Sequence, residues 1–557
     1  MLKLVECVPN FSEGRDMAVI DAITREIVET ENARLLDVDP GADTNRTVVT
    51  FIGTPEAVKE AAFKAIKRAA QLIDMSRHSG AHPRMGATDV CPFVPVSGVT
   101  MDDCVAIARE VGERVGGELG IPVYLYEAAA TSPARRSLAD IRKGEYEALE
   151  DKLNDPLWKP DFGPAVFNPS TGAAVIGARE FLIAYNVNLN TKDKRLAHKV
   201  AVHIREGGRP SRDDEGNVVK DGEGDVVKIP GTLQECRAVG WFIPEYGCAQ
   251  VSINLTNYKV TPPHVAFEEV SRFAGQFGMR VTGSELVGLM PKDAILMAGR
   301  YYLERQGKTP AVTEAELIRL AVQSMGLDSV SPFDPGKKII EYQFSGDPSA
   351  LVAMTVAGFA DELSSDSPAP GGGSVAALSG ALAGSLAAMV AALTHGKEGY
   401  EEVWPEMVSE GAKAMAHKYA FLADIDRDTQ AFNKVMAAMR MRRKTTEQKE
   451  ARNNALAAAN LEATMIPFGV LDRCRLLIAP IGSVAEHGNQ NSLSDAGVAA
   501  LSLITAAEGA YYNVLINLQG LDSSLAVDLK ARAKSILDEV LAGLERIRTR
   551  VREKLEV

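Results

Sequence analysis

Ser374-Val-Ala-Ala-Leu-Ser-Gly-Ala-Leu-Ala-Gly-Ser-Leu-Ala-Ala-Met-Val-Ala-Ala-Leu-Thr394 carries no charged residue. It is about as long as the ~20 apolar residues that span a bilayer. Whether it crosses a membrane or lies in a protein core decides the fold of the C-terminal half. Its bulk is Ala, Gly and Ser, with few large apolar side chains. Gly380 and Gly384 allow close helix approach in lipid or in a soluble core. The composition favours a tightly packed soluble bundle, and no membrane span is expected.

Around this segment, from about Val352 to Val557, the sequence shows helical periodicity, much alanine and no strand-like run. Residues 351–557 therefore read as an all-α helical bundle domain. Upstream, Pro332, Pro335, Gly336, Lys337 and Lys338 mark 329–350 as a linker, preceded by a helical stretch over 291–326.

The N-terminal half alternates patterns. Leu4–Val8, Ala33–Val38, Thr47–Ile52 and Cys91–Val96 read as strands, with helices over 16–31 and 55–74, and a further helix and strand over 102–119 and 123–128. A similar order recurs: strands at 181–188, 238–242, 249–254 and 280–287, helices at 192–205 and 263–277. Both blocks contain β-α-β-β-α-β, the ferredoxin-like order. The predicted fold is therefore multi-domain: an N-terminal α+β part with two ferredoxin-like subdomains, 1–178 and 179–328, and a C-terminal helical bundle. Residues 207–232, rich in Gly, Asp and Lys, read as an exposed hairpin or loop insertion.

The chain has 557 residues, 46% apolar and 24% charged, with a formal net charge of −13. That length calls for several domains, and the negative field argues against general nucleic-acid binding. The six cysteines form no CxxC pair, so neither structural zinc nor a disulfide framework is expected. The N-terminus lacks signal-peptide character, and a cytoplasmic location is expected.

Ser76-Arg-His-Ser-Gly-Ala-His-Pro-Arg-Met-Gly-Ala-Thr-Asp89 concentrates titratable groups where Gly80, Pro83 and Gly86 oppose a regular helix. It reads as a shaped loop presenting chemistry, with His82 as the proton-transfer residue near neutral pH. His78 and His82 have i, i+4 spacing, which suits a metal only on a helix, so no metal is expected.

Several long motifs follow in order: Val5-Glu-Cys-Val-Pro-Asn-Phe-Ser-Glu-Gly14, Asp39-Pro-Gly-Ala-Asp-Thr-Asn-Arg-Thr47, His78-Ser-Gly-Ala-His-Pro-Arg-Met-Gly-Ala87, Pro370-Gly-Gly-Gly-Ser374, Asp426-Arg-Asp-Thr-Gln-Ala-Phe432, Gly488-Asn489 and Tyr512-Asn-Val-Leu-Ile-Asn517. They are similar to those of the formimidoyltransferase-cyclodeaminase family over nearly the whole chain. The resemblance implies transfer of a formimidoyl group from N-formimidoyl-L-glutamate to tetrahydrofolate. It further implies ring closure of 5-formimidoyltetrahydrofolate to 5,10-methenyltetrahydrofolate with release of ammonia, in histidine degradation and one-carbon metabolism. Tetrahydrofolate, in a polyglutamylated form, would be a co-substrate, and a homo-oligomer is expected.

By that resemblance His82 and Asp428 are catalytic. Asp39 is the carboxylate expected to orient His82, although Asp-Pro-Gly also makes a turn. Asn10 would supply a polar contact, and Arg84 a planar fork for a substrate carboxylate. The segment Gly163, Pro164, Ala165, Val166, Phe167, Asn168, Pro169, Ser170, Thr171 and Gly172 aligns with the family's folate-binding segment, with Phe167 as an apolar contact. It also reads as a plain interdomain connector. Related sequences often carry tryptophan where this chain has Thr171.

On a helix, Asp424 and Asp428 share a face and Asp426 points away, so like-charge crowding and burial would raise one carboxyl pKa. Asn489, with Asp495 and Asn517, is a pocket candidate through its motif. Arg440, Arg442, Arg443 and Lys444 form a basic run that suits a folate glutamate tail or a solvated loop. Two other readings stay open: a transferase whose helical module serves only assembly, and a folate-binding scaffold without activity.

Overall fold

The computed structural model describes residues 3–42, 44–80, 83–344, 350–521 and 523–556. The chain divides into two compact units, Met1–Met297 with Val322–Ser345, and Ala298–Ala321 with Gly346–Val557. The first is mixed α+β and the second a helical bundle.

The first unit opens with β1 (Leu4–Cys7), β2 (Asn10–Phe11), α1 (Met17–Val28), β3 (Ala33–Gly41), β4 (Arg46–Gly53), α2 (Pro55–Leu72), β5 (Thr88–Ser97), α3 (Met101–Leu119) and β6 (Val123–Glu127). Two short helices, α4 (Leu138–Arg142) and α5 (Leu149–Asn154), then lead to β7 (Ala174–Ala178). The caps are local and legible. Asp16 accepts from the backbone of Ala18 and Val19 at α1. Thr54 precedes Pro55 at α2. Thr100 and Asp103 form a reciprocal capping box at α3, which ends on left-handed Gly120.

These strands form one seven-stranded sheet. The outer strand β3 pairs with β4, β4 with β1, and β1 with β5, all antiparallel, with β2 continuing the run of β1. Beyond β5, strands β7 and β6 add in parallel. Strand β4 shows how the sheet divides its faces. Val49 and Phe51 are buried in the core with Ile23, Ile27, Ala62 and Ile66 of α1 and α2. Arg46, Val48 and Thr50 alternate onto the opposite face.

The second sheet of this unit is built from β8 (Ile183–Leu189), β11 (Cys236–Ile243), β12 (Cys248–Leu255) and β13 (Val281–Val287), in the antiparallel order β11-β12-β8-β13. Its helices are α6 (Lys194–Ile204) and α7 (Pro263–Gln276). Tyr185, Val187, Val251 and Ile253 are buried among apolar neighbours. The alternate positions Asn186, Asn188 and Gln250 are buried too, and they share hydrogen bonds with Glu285 and Trp241. Between α6 and β11 the inserted segment forms the small pair β9 (Arg209–Pro210) and β10 (Lys228–Ile229) with exposed flanks, as its composition predicts.

Helices α8 (Lys292–Arg305) and α9 (Glu314–Met325) follow. The stretch 329–350, expected to be a linker, holds the short helices α10 (Pro335–Lys338) and α11 (Ile340–Phe344). Ile339 and Ile340 are buried, and the Glu341 carboxylate accepts from the backbone of Lys292. Two adjacent isoleucines with a core to enter outweigh the Pro and Gly signals around them.

In the second unit, α12 (Val356–Leu363), α13 (Gly372–Thr394), α14 (Trp404–Arg440), α15 (Thr446–His487), α16 (Leu493–Asn517) and α17 (Ser523–Leu555) form the bundle. The core is rich in alanine from α13 and α16, closed by Phe421, Leu471, Leu477 and Leu503. A Cβ on Gly380 would lie 2.7 Å from the Phe421 ring, and one on Gly384 3.0 Å from the Ala414 carbonyl. The small residues of α13 are thus a packing requirement. Among the described residues, two helical stretches, Gly372–Thr394 and Gln490–Gly520, are long and apolar enough to span a membrane by composition. Both contribute buried residues to the bundle core.

Candidate active sites

The loop after α2 is fastened to the β3–β4 hairpin. Asp74 caps a short turn over Met75–Arg77. His78 donates from Nε2 to the Asn45 carbonyl at 2.8 Å. Asn45, in the left-handed region at φ 47°, donates to the Ser79 carbonyl at 3.0 Å and accepts from the Gly14 N–H at 3.0 Å. A Cβ on Gly80 would sit 2.1 Å from the Thr44 carbonyl, so the loop lies directly on the hairpin. His82 itself falls outside the described residues.

Past that point, Arg84 is buried. It donates to Glu147 at 2.6 Å and Glu145 at 3.1 Å, and its Nε faces His78 Nδ1 at 3.3 Å. Burial disfavours its charge, but the two carboxylates outweigh this and raise its pKa, while the Arg84 hydrogen bond lowers that of Glu147. The fork expected to be open for substrate is therefore already filled by the protein's own carboxylates. A substrate carboxylate would have to displace the more exposed Glu147.

The 163–172 segment runs beside the same loop. Backbone hydrogen bonds join Met75 to Ser170 and Ala87 to Thr171. Gly172, at φ 63°, packs on the Met85 carbonyl. The Asn168 side chain caps the turn at Ser170 and Thr171. Phe167 lies 5.5 Å from the Tyr146 ring. Gly163, Pro164, Ala165, Val166, Pro169 and Ser170 are exposed, whereas Thr171 is buried with its hydroxyl unpartnered.

On the sheet, Asp39 and Asn10 both pair with Val48, and Arg46 lies two residues away, so the three share one face. Asp39 is exposed; Asn10 is buried and donates to the Val8 carbonyl at 2.8 Å. The buried carboxylate of Asp89 binds Arg142 and the Met85 N–H. Sequence reading did not single out Arg46 as a site residue; an arginine closing an Asx-rich turn was the available signal.

In the bundle, Asp428 of α14 meets the start of α13. A Cβ on Gly373 would fall 2.2 Å from its Oδ1, so only glycine leaves room for the carboxylate there. The Ser374 hydroxyl lies 3.3 Å from Asp428 Oδ2, 3.0 Å from the Ile425 carbonyl and 3.4 Å from Thr429 Oγ1. Asn513 of α16 borders Gly372. Burial raises the Asp428 pKa, hydrogen bonds from Ser374 oppose it, and Asp424 adds a smaller push. Crowding was expected to contribute alongside burial. It is the lesser cause because Asp424 is ion-paired with Arg427 at 3.0 Å and with Arg473. Asp426 points elsewhere, accepting from the Leu351 N–H at 2.7 Å.

Asn489 lies away from Asp428. Its N–H donates to Thr394 Oγ1 and its side chain accepts from Lys397 at 2.6 Å, both at the C-terminal end of α13. At 1.5 Å per residue that is about 30 Å from Ser374. Asp495 begins α16 near Asn489, and Asn517 donates to the Ala463 carbonyl. The Arg440–Lys444 run is exposed. Ser374, Gly373 and Asn513 lie in motifs visible in the sequence, but only folding shows that α14 delivers Asp428 to them. Among the described residues no group of three or more His, Cys, Asp or Glu could hold a metal.

An α+β module with one polar face and a helical module with a separate half-buried carboxyl define a two-module enzyme. Residues 4–179 match the family described as "Formiminotransferase domain, N-terminal subdomain", 184–345 "Formiminotransferase domain", and 355–535 "Formiminotransferase-cyclodeaminase". A formimidoyltransferase-cyclodeaminase of Dictyostelium discoideum is 44% identical, covering 98% of both chains. A glutamate formimidoyltransferase of Thermoplasma acidophilum is 44% identical over 55% of this chain and 94% of its own length. A methenyltetrahydrofolate cyclohydrolase of Methylorubrum extorquens is 37% identical over 36% of this chain and 97% of its own length.

The chain belongs to the formimidoyltransferase-cyclodeaminase family. It is a bifunctional enzyme of histidine and folate one-carbon metabolism, with transferase and ammonia-lyase activities.

Proposed function

We propose that the α+β unit carries the transfer on the face formed by the 78–84 loop, the β3–β4 hairpin and the 163–172 segment. N5 of tetrahydrofolate attacks the amidine carbon of N-formimidoyl-L-glutamate, and the bond from that carbon to the glutamate nitrogen breaks. N5 loses a proton and the departing nitrogen gains one; His82 carries both in turn. Asp39 orients or stabilises the charged imidazole. Asn10 holds the Val8 carbonyl and so shapes the first loop. The exposed backbone of 163–172 offers donors and acceptors to the pterin edge, with Phe167 beside it.

The helical unit then closes the ring. N10 attacks the formimidoyl carbon and gives up its proton, the bond from that carbon to its terminal nitrogen breaks, and that nitrogen leaves as ammonia after gaining two protons, the one N10 releases and one from Asp428. The observation that carries this is the half-buried Asp428 carboxyl lodged against Gly373 and Ser374 at the start of α13, its pKa raised by desolvation. A raised carboxyl pKa keeps the acid protonated closer to neutral pH.

Within the α+β unit both subdomains take the ferredoxin-like reading, supported by the strand orders β3-β4-β1-β5 and β11-β12-β8-β13. The subdomains are assigned to 1–178 and 179–328, and the cyclodeaminase domain to 351–557. The folate is polyglutamylated and the protein is a cytoplasmic homo-oligomer. Exposed Leu382, Met389 and Leu393 on α13, with Val498 and Leu501 on α16, are the apolar surface that supports self-association.

Two variants test the division. Asp428→Asn is expected to lower ammonia release by about 100-fold or more with transfer intact, and His82→Ala to do the reverse. Loss of both activities in either variant contradicts it.

A further inference from the structure

Arg46 is half-buried at the start of β4, and its Nε is enclosed without a hydrogen-bond partner. Among the described residues its side chain makes no ion pair. The neighbouring charges do not satisfy it: Asp89 is bound by Arg142, and Asp39, on the same sheet face, stays beyond ion-pair distance. An unmet buried N–H on a permanent cation is costly, and a planar fork that matches a carboxylate relieves that cost on binding.

The position is specific. Arg46 follows Asn45, whose side chain holds the Ser79 carbonyl and the Gly14 N–H, so it stands where the 78–84 loop is fastened to the sheet. Arg84, at the C-terminal end of that loop, is occupied by Glu145 and Glu147.

We propose that Arg46 is the carboxylate-binding residue of the transferase site and holds one of the two carboxylates of N-formimidoylglutamate. The inference rests on the assignment of formimidoyl transfer to this face. It places the amino-acid substrate on the hairpin side of the loop and leaves the 163–172 side to the folate.

The test is steady-state kinetics of full-length R46Q and R46K, varying each substrate at saturating levels of the other. In R46Q the KM for formimidoylglutamate is expected to rise roughly 10- to 100-fold, the loss of a charge-assisted hydrogen bond. The KM for tetrahydrofolate and the cyclodeaminase rate on 5-formimidoyltetrahydrofolate stay unchanged. R46K, which keeps the charge without the fork, falls between.

Analogues with either carboxylate replaced by an amide identify which one is held. Wild type discriminates against one amide, and R46Q no longer does. An unchanged KM for formimidoylglutamate in R46Q overturns the inference. So does a rise confined to tetrahydrofolate, which would assign Arg46 to the folate tail, or an equal rise for both substrates, which would make its role structural. Should R46Q not fold, R46K and the amides remain decisive: wild type that accepts both amides as well as the acid overturns it. If wild type transfers no formimidoyl group, or His82→Ala transfers it normally, the underlying assignment fails instead.

Discussion

At the scale of single residues, two carboxyls, half-buried Asp428 and buried Glu6, show how environment sets chemistry. Ser374 hydrogen bonds favour the charged form of Asp428 while burial favours the neutral form. Removing the hydroxyl therefore leaves burial less opposed. Ser374→Ala is expected to move the alkaline limb of the cyclodeaminase pH profile to higher pH; no shift, or a downward one, contradicts Asp428 as the acid.

Glu6, buried on β1, has its pKa raised to about 7 by burial, with Arg179 opposing. A folded-state pKa above the unfolded value means the folded state holds the proton longer, so stability falls as pH rises from about 4.5 to about 7. Glu6→Gln is expected to gain up to about 3 kcal/mol over wild type at pH 8 and nothing at pH 4, read by denaturant unfolding at both values. The motifs around 82 and 428 were legible because they are contiguous in sequence. The filling of Arg84 was not, because its partners Glu145 and Glu147 lie about sixty residues away and reach it only through folding.

At the scale of elements, periodicity carried most of the reading. Helix α1 starts after Asp16 because that carboxylate meets its first N–H groups, and α2 starts at Pro55 behind Thr54. Strand β3 runs to Gly41, past the expected end at Val38, because pairing with β4 continues through Pro40 opposite Thr47. Tertiary pairing overrode the turn signal of Asp-Pro-Gly. The 329–350 stretch misled in the same way, since the burial of Ile339 and Ile340 is decided by neighbours distant in sequence.

Helix α13 contributes buried residues to the bundle core, and its glycines supply a test. Gly380→Val would drive side-chain atoms into the Phe421 ring. Overpacking of this kind costs about 1–3 kcal/mol. Calorimetry is expected to show a lowered transition for the helical unit and reduced cyclodeaminase activity, with transferase activity retained. An unchanged transition would mean that the α13–α14 packing is looser than described.

At the scale of the whole molecule, the residues proposed for transfer and for ring closure lie in separate compact units. Their coupling through a shared folate is a matter of diffusion and tethering, on which sequence motifs are silent. If each unit works by itself, a mixture of His82→Ala and Asp428→Asn proteins is expected to recover overall conversion. It should show a lag that shortens as enzyme concentration rises, because the intermediate must leave one molecule and find another. Failure of the mixture at any concentration would mean that the two activities depend on each other within one assembly.

The most direct measurement follows methenyl absorbance and free ammonia together after wild-type protein meets formimidoylglutamate and tetrahydrofolate. The two products are expected to rise in equal amounts, and ammonia to stop in Asp428→Asn while 5-formimidoyltetrahydrofolate accumulates. Ammonia released undiminished by Asp428→Asn would contradict the account.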